Sequence, residues 1–500
     1  MRSLNERAAI AALFLFISGG ALALDRAALQ KLAAGDNDQK LEAIGVLVAE
    51  GDPAAAGMLA RFAEGEIEID GKRVEVVVNN RVRAAVDDAL AAFKLLSPDS
   101  ATRQAAAKAL ADGANAALFP LVNKALQAEQ DPDIRALLEV AAAGMEMKSA
   151  DKHVRLAAIL RLGESSSPNS RTLLSEAAAD ADIDIRMAAQ KSLRAVQYKL
   201  AWGERAGLLF AGVSLASILL LAALGLAITY GLMGVINMAH GELIMIGAYT
   251  TYVVQGFFRN SSYFDWYLLA AVPASFIVAG ATGMILERGI IRWLYGRPLE
   301  TLLATWGISL MLIQAVRTLF GAANVQVENP AFMSGGIQAF AGVVLPWSRI
   351  YIIAFAALVL FFMYLLLTKT RLGLFIRGVT QNREMASCVG VPTGRVDMWA
   401  FGLGSGIAGL AGCALSQLGN VGPELGQGYI VDSFMVVVFG GVGQLAGTVY
   451  AALVLGFTNK FLESVSGAVI AKIAVLVFII FFIQRRPQGL FALKGRAVEG

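Results

Sequence analysis

The stretch Gly231-Leu-Met-Gly-Val-Ile-Asn-Met-Ala-His-Gly-Glu-Leu-Ile-Met-Ile-Gly-Ala-Tyr249 decides the fold. It is apolar enough to lie within a membrane, yet it carries Asn237, His240 and Glu242 in its middle. Amide and ionisable groups at that depth are costly and normally face a pathway or a partner. Gly231, Gly234, Gly241 and Gly247, with Gly225 just before, interrupt the segment. Such interruption is expected where a helix breaks to present its backbone to a solute. Near the other end, Phe434-Met-Val-Val-Val-Phe-Gly-Gly-Val-Gly-Gln-Leu-Ala-Gly-Thr448 repeats the pattern, with Gly440, Gly441 and Gly443 as a hinge. Two Gly-interrupted hydrophobic segments in corresponding positions of two halves point to a binding site where the halves meet. The pattern predicts a transport permease.

Composition agrees. With 57% hydrophobic and 16% charged residues over 500 positions, the chain is too apolar for an average soluble protein. The average hides a division. Residues up to about Gly203 are rich in Ala and in charged side chains, whereas almost everything after Ala206 is apolar. The formal net charge of +3 says little, and no nucleic-acid partner is expected. Cys388 and Cys413 both fall in the second half, so disulfides do not hold the first half together. With only His153 and His240 and no cysteine cluster, a transition-metal site is not expected.

Residues 1–23 carry Arg2 and Arg7, an apolar run from Ala8 to Ile17 and then Ala21-Leu22-Ala23, the tripartite pattern of a secretory signal peptide. Cleaved or retained as an anchor, it sends the next domain outside the cytoplasm. Residues 24–203 form that domain, and they repeat. Asp131-Pro-Asp-Ile-Arg135, Asp151-Lys-His-Val-Arg155 and Asp182-Ile-Asp-Ile-Arg186 share one design, with weaker copies around Lys40, Arg83 and Arg103. The Asp caps a helix, Pro132 suits its first turn, and Ala and Leu supply one buried face. Stacked units of this kind resemble HEAT-like helical repeats, although the 20-residue gaps from Arg83 to Arg103 and from Arg135 to Arg155 are short for a two-helix unit. A β-hairpin near 66–78, about Asp70-Gly71, interrupts them. Such a domain either binds protein or acts as a spacer.

From Ala206 the candidate membrane segments are 206–230, 236–255, 266–287, 301–320, 348–368, 398–418, 431–460 and 466–484. Arg288, Arg292 and Arg297, then Lys369, Arg371, Arg377, Arg383 and Arg395, mark cytoplasmic loops, and Arg485, Arg486, Lys494 and Arg496 place the C-terminus inside. The connection from Gly321 to Pro346 has no Lys or Arg and belongs outside. An external N-terminal domain and an internal C-terminus require an odd number of crossings. The Gly-rich 431–460 is therefore expected to enter, turn near Gly440-Gly441 and leave on the same side. The fold class is an all-α polytopic membrane permease, 204–490, of about seven crossings plus a re-entrant hairpin, with a cytoplasmic tail at 491–500.

No catalytic residue is assigned. Gly404-Ser-Gly406-Ile-Ala-Gly409 matches the dinucleotide fingerprint but follows no strand. Gly402, Ser405, Gly406 and Gly409 instead suit close helix packing. No Walker motif, nucleophile elbow or H-E-x-x-H pair occurs, so an enzyme is not expected and ATP would be bound by other chains. Asn237, His240 and Glu242 either contact a polar solute or tie the broken segment together. Thr305, with Trp306 and Ser309, and Gln444 with Thr448 are further pathway candidates. Between Gly378 and Arg395, the run Gln381 to Val389 predicts a short helix outside the membrane, ended near Gly390, with an apolar edge of Met385, Ala386 and Val389.

The stretch 234–249 resembles the signature of the LivH-type permeases of branched-chain amino acid ABC importers. Leu286 to Pro298 is similar to that family's first large cytoplasmic loop, Asn382 to Val391 to its coupling helix, and Gly440 to Thr448 to its C-terminal glycine motif. The added N-terminal repeat domain is closer to the urea-transport branch of the family than to its plain amino-acid permeases. The resemblance implies a multi-pass inner-membrane permease whose N-terminal domain is periplasmic. Its implied partners are the lipid bilayer, a sister permease subunit, two cytoplasmic ATPase subunits that use ATP, and a periplasmic substrate-binding protein. It implies that Gln381, Asn382, Arg383, Glu384, Met385, Ala386 and Gly390 receive the motion of the ATPases. The expected cargo is urea, or alternatively branched-chain amino acids or short amides. A stand-alone secondary transporter or channel is the other class.

Overall fold

A computed structural model describes residues 26–50, 53–69, 72–76, 78–111, 118–340 and 342–491. The expected signal peptide, the Asp70-Gly71 turn and most of the C-terminal tail lie outside the described residues. The chain divides into two compact units, one up to Gly203 and one from Glu204.

The first unit contains α1 (Arg26–Ala34), α2 (Asn37–Glu50), α3 (Pro53–Ala63), α4 (Asn80–Lys94), α5 (Ser100–Ala111), α6 (Phe119–Ala128), α7 (Pro132–Glu146), α8 (Lys152–Glu164) and α9 (Pro168–Ala177). Between α3 and α4, β1 (Glu66–Ile69) and β2 (Lys72–Glu75) pair antiparallel, with Glu66 opposite Glu75 and Ile69 opposite Lys72. The repeated Asp starts helices: Asp131 accepts from the Asp133 and Ile134 N–H groups, Asp151 from His153 and Asp182 from Asp184. The Arg four residues further on often folds back onto the preceding turn. Arg103 donates to the Ser97 and Pro98 carbonyls, and Arg186 to that of Asp180. One stripe of each helix is buried at helical spacing, as in Val82, Val86 and Ala89 on α4 or Ile134, Leu138 and Ala141 on α7.

Helix α10 (Ile183–Met233) is 51 residues long. It leads into α11 (His240–Phe258), α12 (Tyr267–Gly289) and α13 (Pro298–Phe320). After a hairpin of β3 (Gly336–Phe340) and β4 (Val343–Pro346) come α14 (Trp347–Lys369), α15 (Arg371–Gln381), α16 (Arg383–Cys388) and α17 (Thr393–Ser416). The chain continues through α18 (Gln427–Gly440), α19 (Leu445–Ser466) and α20 (Ala468–Arg485). Among the described residues, seven helices are long and apolar enough to cross a membrane: α10, α12, α13, α14, α17, α19 and α20. The polar load of α11 and the 14-residue length of α18 keep those two apart from the seven.

The ends of these helices gather at two rims. At one, Arg383 pairs with Asp397, and the Leu490 N–H donates to the Phe439 carbonyl. At the other, Arg317 pairs with Glu424, Val325 bridges Val421, and Tyr267 donates to the Glu328 carbonyl. The Gly-rich segment breaks where expected, with Gly441 at φ 102° and Gly443 at φ 82°. It enters, turns and leaves at the same rim as expected, but its second arm extends beyond 460. Helix α18 runs from the Glu424 rim to the Phe439 rim, and α19 returns over a full 22 residues. Reading the segment as ending at 460 hid six residues of α19, and with them its ability to cross. The stretch read as one helix from Gln381 to Val389 is also two elements. The chain is extended at Asn382 (φ −154°, ψ 102°), whose side chain caps α16 by accepting from the Met385 N–H.

The centre of the second unit is a glycine-lined packing of α11, α12 and α17. Gly247 lies against Gly409, Gly412 against the Ile244 carbonyl, and Gly283 against Ser405. A side chain at these glycines would collide with the neighbouring helix. Small residues let helix backbones approach closely where no water drives association.

Candidate functional site

Helix α10 stops at Met233 because Gly234 takes φ 69°, and the chain stays unwound until α11 begins at His240. The freed backbone groups find partners. The Asn237 side-chain oxygen accepts from the Ala239 N–H at 3.0 Å. The Thr305 hydroxyl on α13 accepts from the Met238 N–H at 3.1 Å and donates to the Thr301 carbonyl at 2.8 Å. Thr305 thus stitches the break to α13. His240 points the other way, its Nε2 donating to the Ala222 carbonyl of α10 at 2.9 Å.

The break is not fully satisfied. Asn237, His240 and Glu242 are buried, yet Asn237 Nδ2, His240 Nδ1 and Glu242 Oε2 have no hydrogen-bond partner. Each such group costs about 1–3 kcal/mol, so three within six residues call for an explanation. Ser309, one turn beyond Thr305, sits against the Glu242 carboxyl, and no Lys or Arg among the described residues acts on it. The arrangement offers a donor and acceptors without a counter-charge. Trp306, on the same helix, is exposed and takes no part.

The second break touches the first through backbone. Gly443 packs directly on Gly231. Gln444 and Thr448 do not join the Asn237 group: the Thr448 hydroxyl donates to the Gln444 carbonyl at 3.0 Å, a local bond within the start of α19. Gly440 packs on Gly447, and Gly441 on the backbone of Phe491.

On the same rim, α15 and α16 enclose a groove between Phe375, Met385 and Val389. Glu384, Met385 and Val389 are exposed, Ala386 is buried, and Gly390 at φ 87° ends the turn. Arg383 lies 2.5 Å from Asp397 and over the Tyr295 ring. Burial pushes the Tyr295 hydroxyl above its ordinary range, and it donates to Glu287 at 3.1 Å. Sequence reasoning missed Glu287, Tyr295 and Asp397. The available signal was two acidic residues at the ends of apolar segments, beside basic loops.

Helices running rim to rim, broken at two touching glycine sites with polar groups buried at one of them, define a polytopic membrane permease. Residues 208–484, more than half of the chain, match the family described as branched-chain amino acid transport system / permease component, and the chain belongs to it. It is similar to the high-affinity branched-chain amino acid transport system permease protein BraD of Pseudomonas aeruginosa, 29% identical over 56% of this chain and 93% of that protein. The corresponding LivH of Salmonella typhimurium is 28% identical over 56% of this chain and 94% of the relative. A ribose import permease protein, RbsC of Escherichia coli, is 27% identical over 42% and 67%. No solved structure matches. The family is one of transport subunits and not of enzymes.

Proposed function

We propose that this chain is the membrane-spanning subunit of an ATP-driven importer for a small uncharged amide, urea first. It would work with a sister permease, two cytoplasmic ATPase subunits docking at α16, and an external binding protein. The N-terminal unit, read as HEAT-like repeats outside the cytoplasm, would receive that binding protein. One observation carries the choice of solute. The broken segment offers Asn237 Nδ2 as a free donor and Glu242 Oε2 as a free acceptor, with no cation acting on Glu242. Urea presents both a carbonyl and N–H groups. An amino acid brings both an ammonium and a carboxylate; Glu242 could receive the first, but no Lys or Arg among the described residues stands at Glu242 to receive the second.

The names of the relatives favour a second reading, branched-chain amino acids. Those proteins are matched over little more than half of this chain, and the N-terminal unit lies outside the family match. The test is uptake of labelled urea in cells lacking this chain, with and without its return, challenged by excess unlabelled leucine. Restored uptake that leucine leaves untouched supports urea. Urea uptake that never depended on the chain, with leucine uptake that does, would replace it by the second reading.

A further inference from the structure

Arg383 opens α16, where the helix dipole disfavours a cation. Its position makes sense through its partners. The guanidinium lies 2.5 Å from Asp397 near the start of α17 and 4.7 Å from the centre of the Tyr295 ring. Tyr295 sits in the connection between α12 and α13 and donates to Glu287 near the end of α12. Asp397 and Glu287 are 2% and 1% exposed, while the Arg383 side chain remains 44% open. Arg288 and Arg292 act on Glu287 by charge, as does Asp397 with the opposite sign, whereas among the described residues Arg383 is the cation that acts on Asp397.

We propose that Arg383, Tyr295, Asp397 and Glu287 form a relay carrying displacement of α16 into α12 and α17. The proposal rests on the importer reading and deepens it. A buried carboxylate balanced by one arginine cannot be left behind without stranding its charge. When α16 moves, α17 therefore follows through Asp397. The Tyr295 ring, held under the same guanidinium, takes the displacement to Glu287 and α12. These are the helices joined by Gly283 against Ser405, so the pull arrives on one packed unit instead of two loose ends. Arg383, Tyr295 and Asp397 are positioning residues in this scheme, remote from the unwound segment at Asn237.

The experiment uses the whole complex reconstituted in vesicles and measures solute taken up per ATP hydrolysed. The double variant Arg383→Ala/Asp397→Asn removes both charges and strands neither. In complexes that contain the ATPase subunits, uptake per ATP is expected to fall roughly 5- to 150-fold, the range of typical coupling free energies. Tyr295→Phe keeps the ion pair, loses the bond to Glu287, and is expected to fall by a smaller factor. A double variant with wild-type uptake per ATP overturns the relay. So does one that no longer binds the ATPase subunits, because the pair would then belong to the docking surface. A wild-type complex without ATP-dependent uptake of urea or leucine overturns the importer reading, and the relay with it.

Discussion

The backbone of Gly443 occupies the place that a side chain on Gly231 would need: a Cβ at 231 would lie 2.6 Å from both the N and Cα atoms of Gly443. Two interruptions about 210 positions apart in sequence thus close on each other as bare backbone. Backbone cannot rotate aside as a side chain can. Gly231→Ala is expected to cost about 1–3 kcal/mol through overpacking, lowering the thermal midpoint in detergent and abolishing uptake. Gly256→Ala, with nothing within 4 Å of its added carbon, is the control and should leave both unchanged. A Gly231→Ala protein as stable and active as the parent would mean that the breaks move apart readily.

Thr305→Val keeps shape and removes the hydroxyl that accepts from Met238. The half-buried N–H left behind costs up to about 1–3 kcal/mol, the penalty of a fully buried one. Uptake should fall and the thermal midpoint drop, with Thr305→Ser restoring most of both. A Ser variant, which keeps the hydroxyl, that loses as much as the Val variant would remove the hydroxyl stitch as the cause.

Glu384→Ala combined with Met385→Ala removes an exposed charge and an exposed apolar side chain from α16. Neither is needed to hold the helix, whose cap is Asn382. Membrane insertion should be normal, while uptake and stimulation of the ATPase fall together. Unchanged uptake with unchanged stimulation would remove α16 from the coupling scheme.

In the first unit, the ion pair with Arg103 at 2.8 Å holds the Glu129 carboxyl below its usual range, burial opposes this, and the Asp131 N–H assists it. A carboxylate with a lowered folded value adds stability that is complete above its unfolded value, about 4.3. That stability disappears as pH falls through the lower folded value. Glu129→Gln should therefore lower the unfolding midpoint of the full chain at pH 7, with the gap to the parent narrowing below about pH 4. A gap that does not change with pH would trace the loss to packing.

Elements with a strong local signal were legible in the sequence. Asp131, Asp151 and Asp182 announced helix starts, the alternation after Glu66 announced a hairpin, and Gly440-Gly441 announced a break. Thr305 was legible only as a polar residue in an apolar run; its bond to Met238 joins elements 67 residues apart. Thr448 carried the same kind of signal and bonds locally, to the Gln444 carbonyl, because composition does not tell where a hydroxyl turns. Asp397 and Glu287 looked like ordinary ends of membrane segments. Their burial depends on Tyr295 and Arg383 arriving from two other places in the chain. The length of α19 was obscured by Asn459, Lys460 and Glu463, which read as an end although the helix continues through them.

The glycine contacts among α11, α12 and α17 have a mechanical consequence. Helices touching through carbonyls and Cα atoms, as where Gly247 meets Gly409 and Gly412 meets Ile244, or through a glycine under a small side chain, as where Gly283 meets Ser405, have little side-chain layer in which to slip. Those three helices must travel as a single stiff plate. Opening and closing is left to the joints around that plate, at the unwound turn before His240, the linker around Tyr295 and the break at Gly441. The stroke of this protein is then a rotation about joints, and its amplitude is set by how far those few residues can turn.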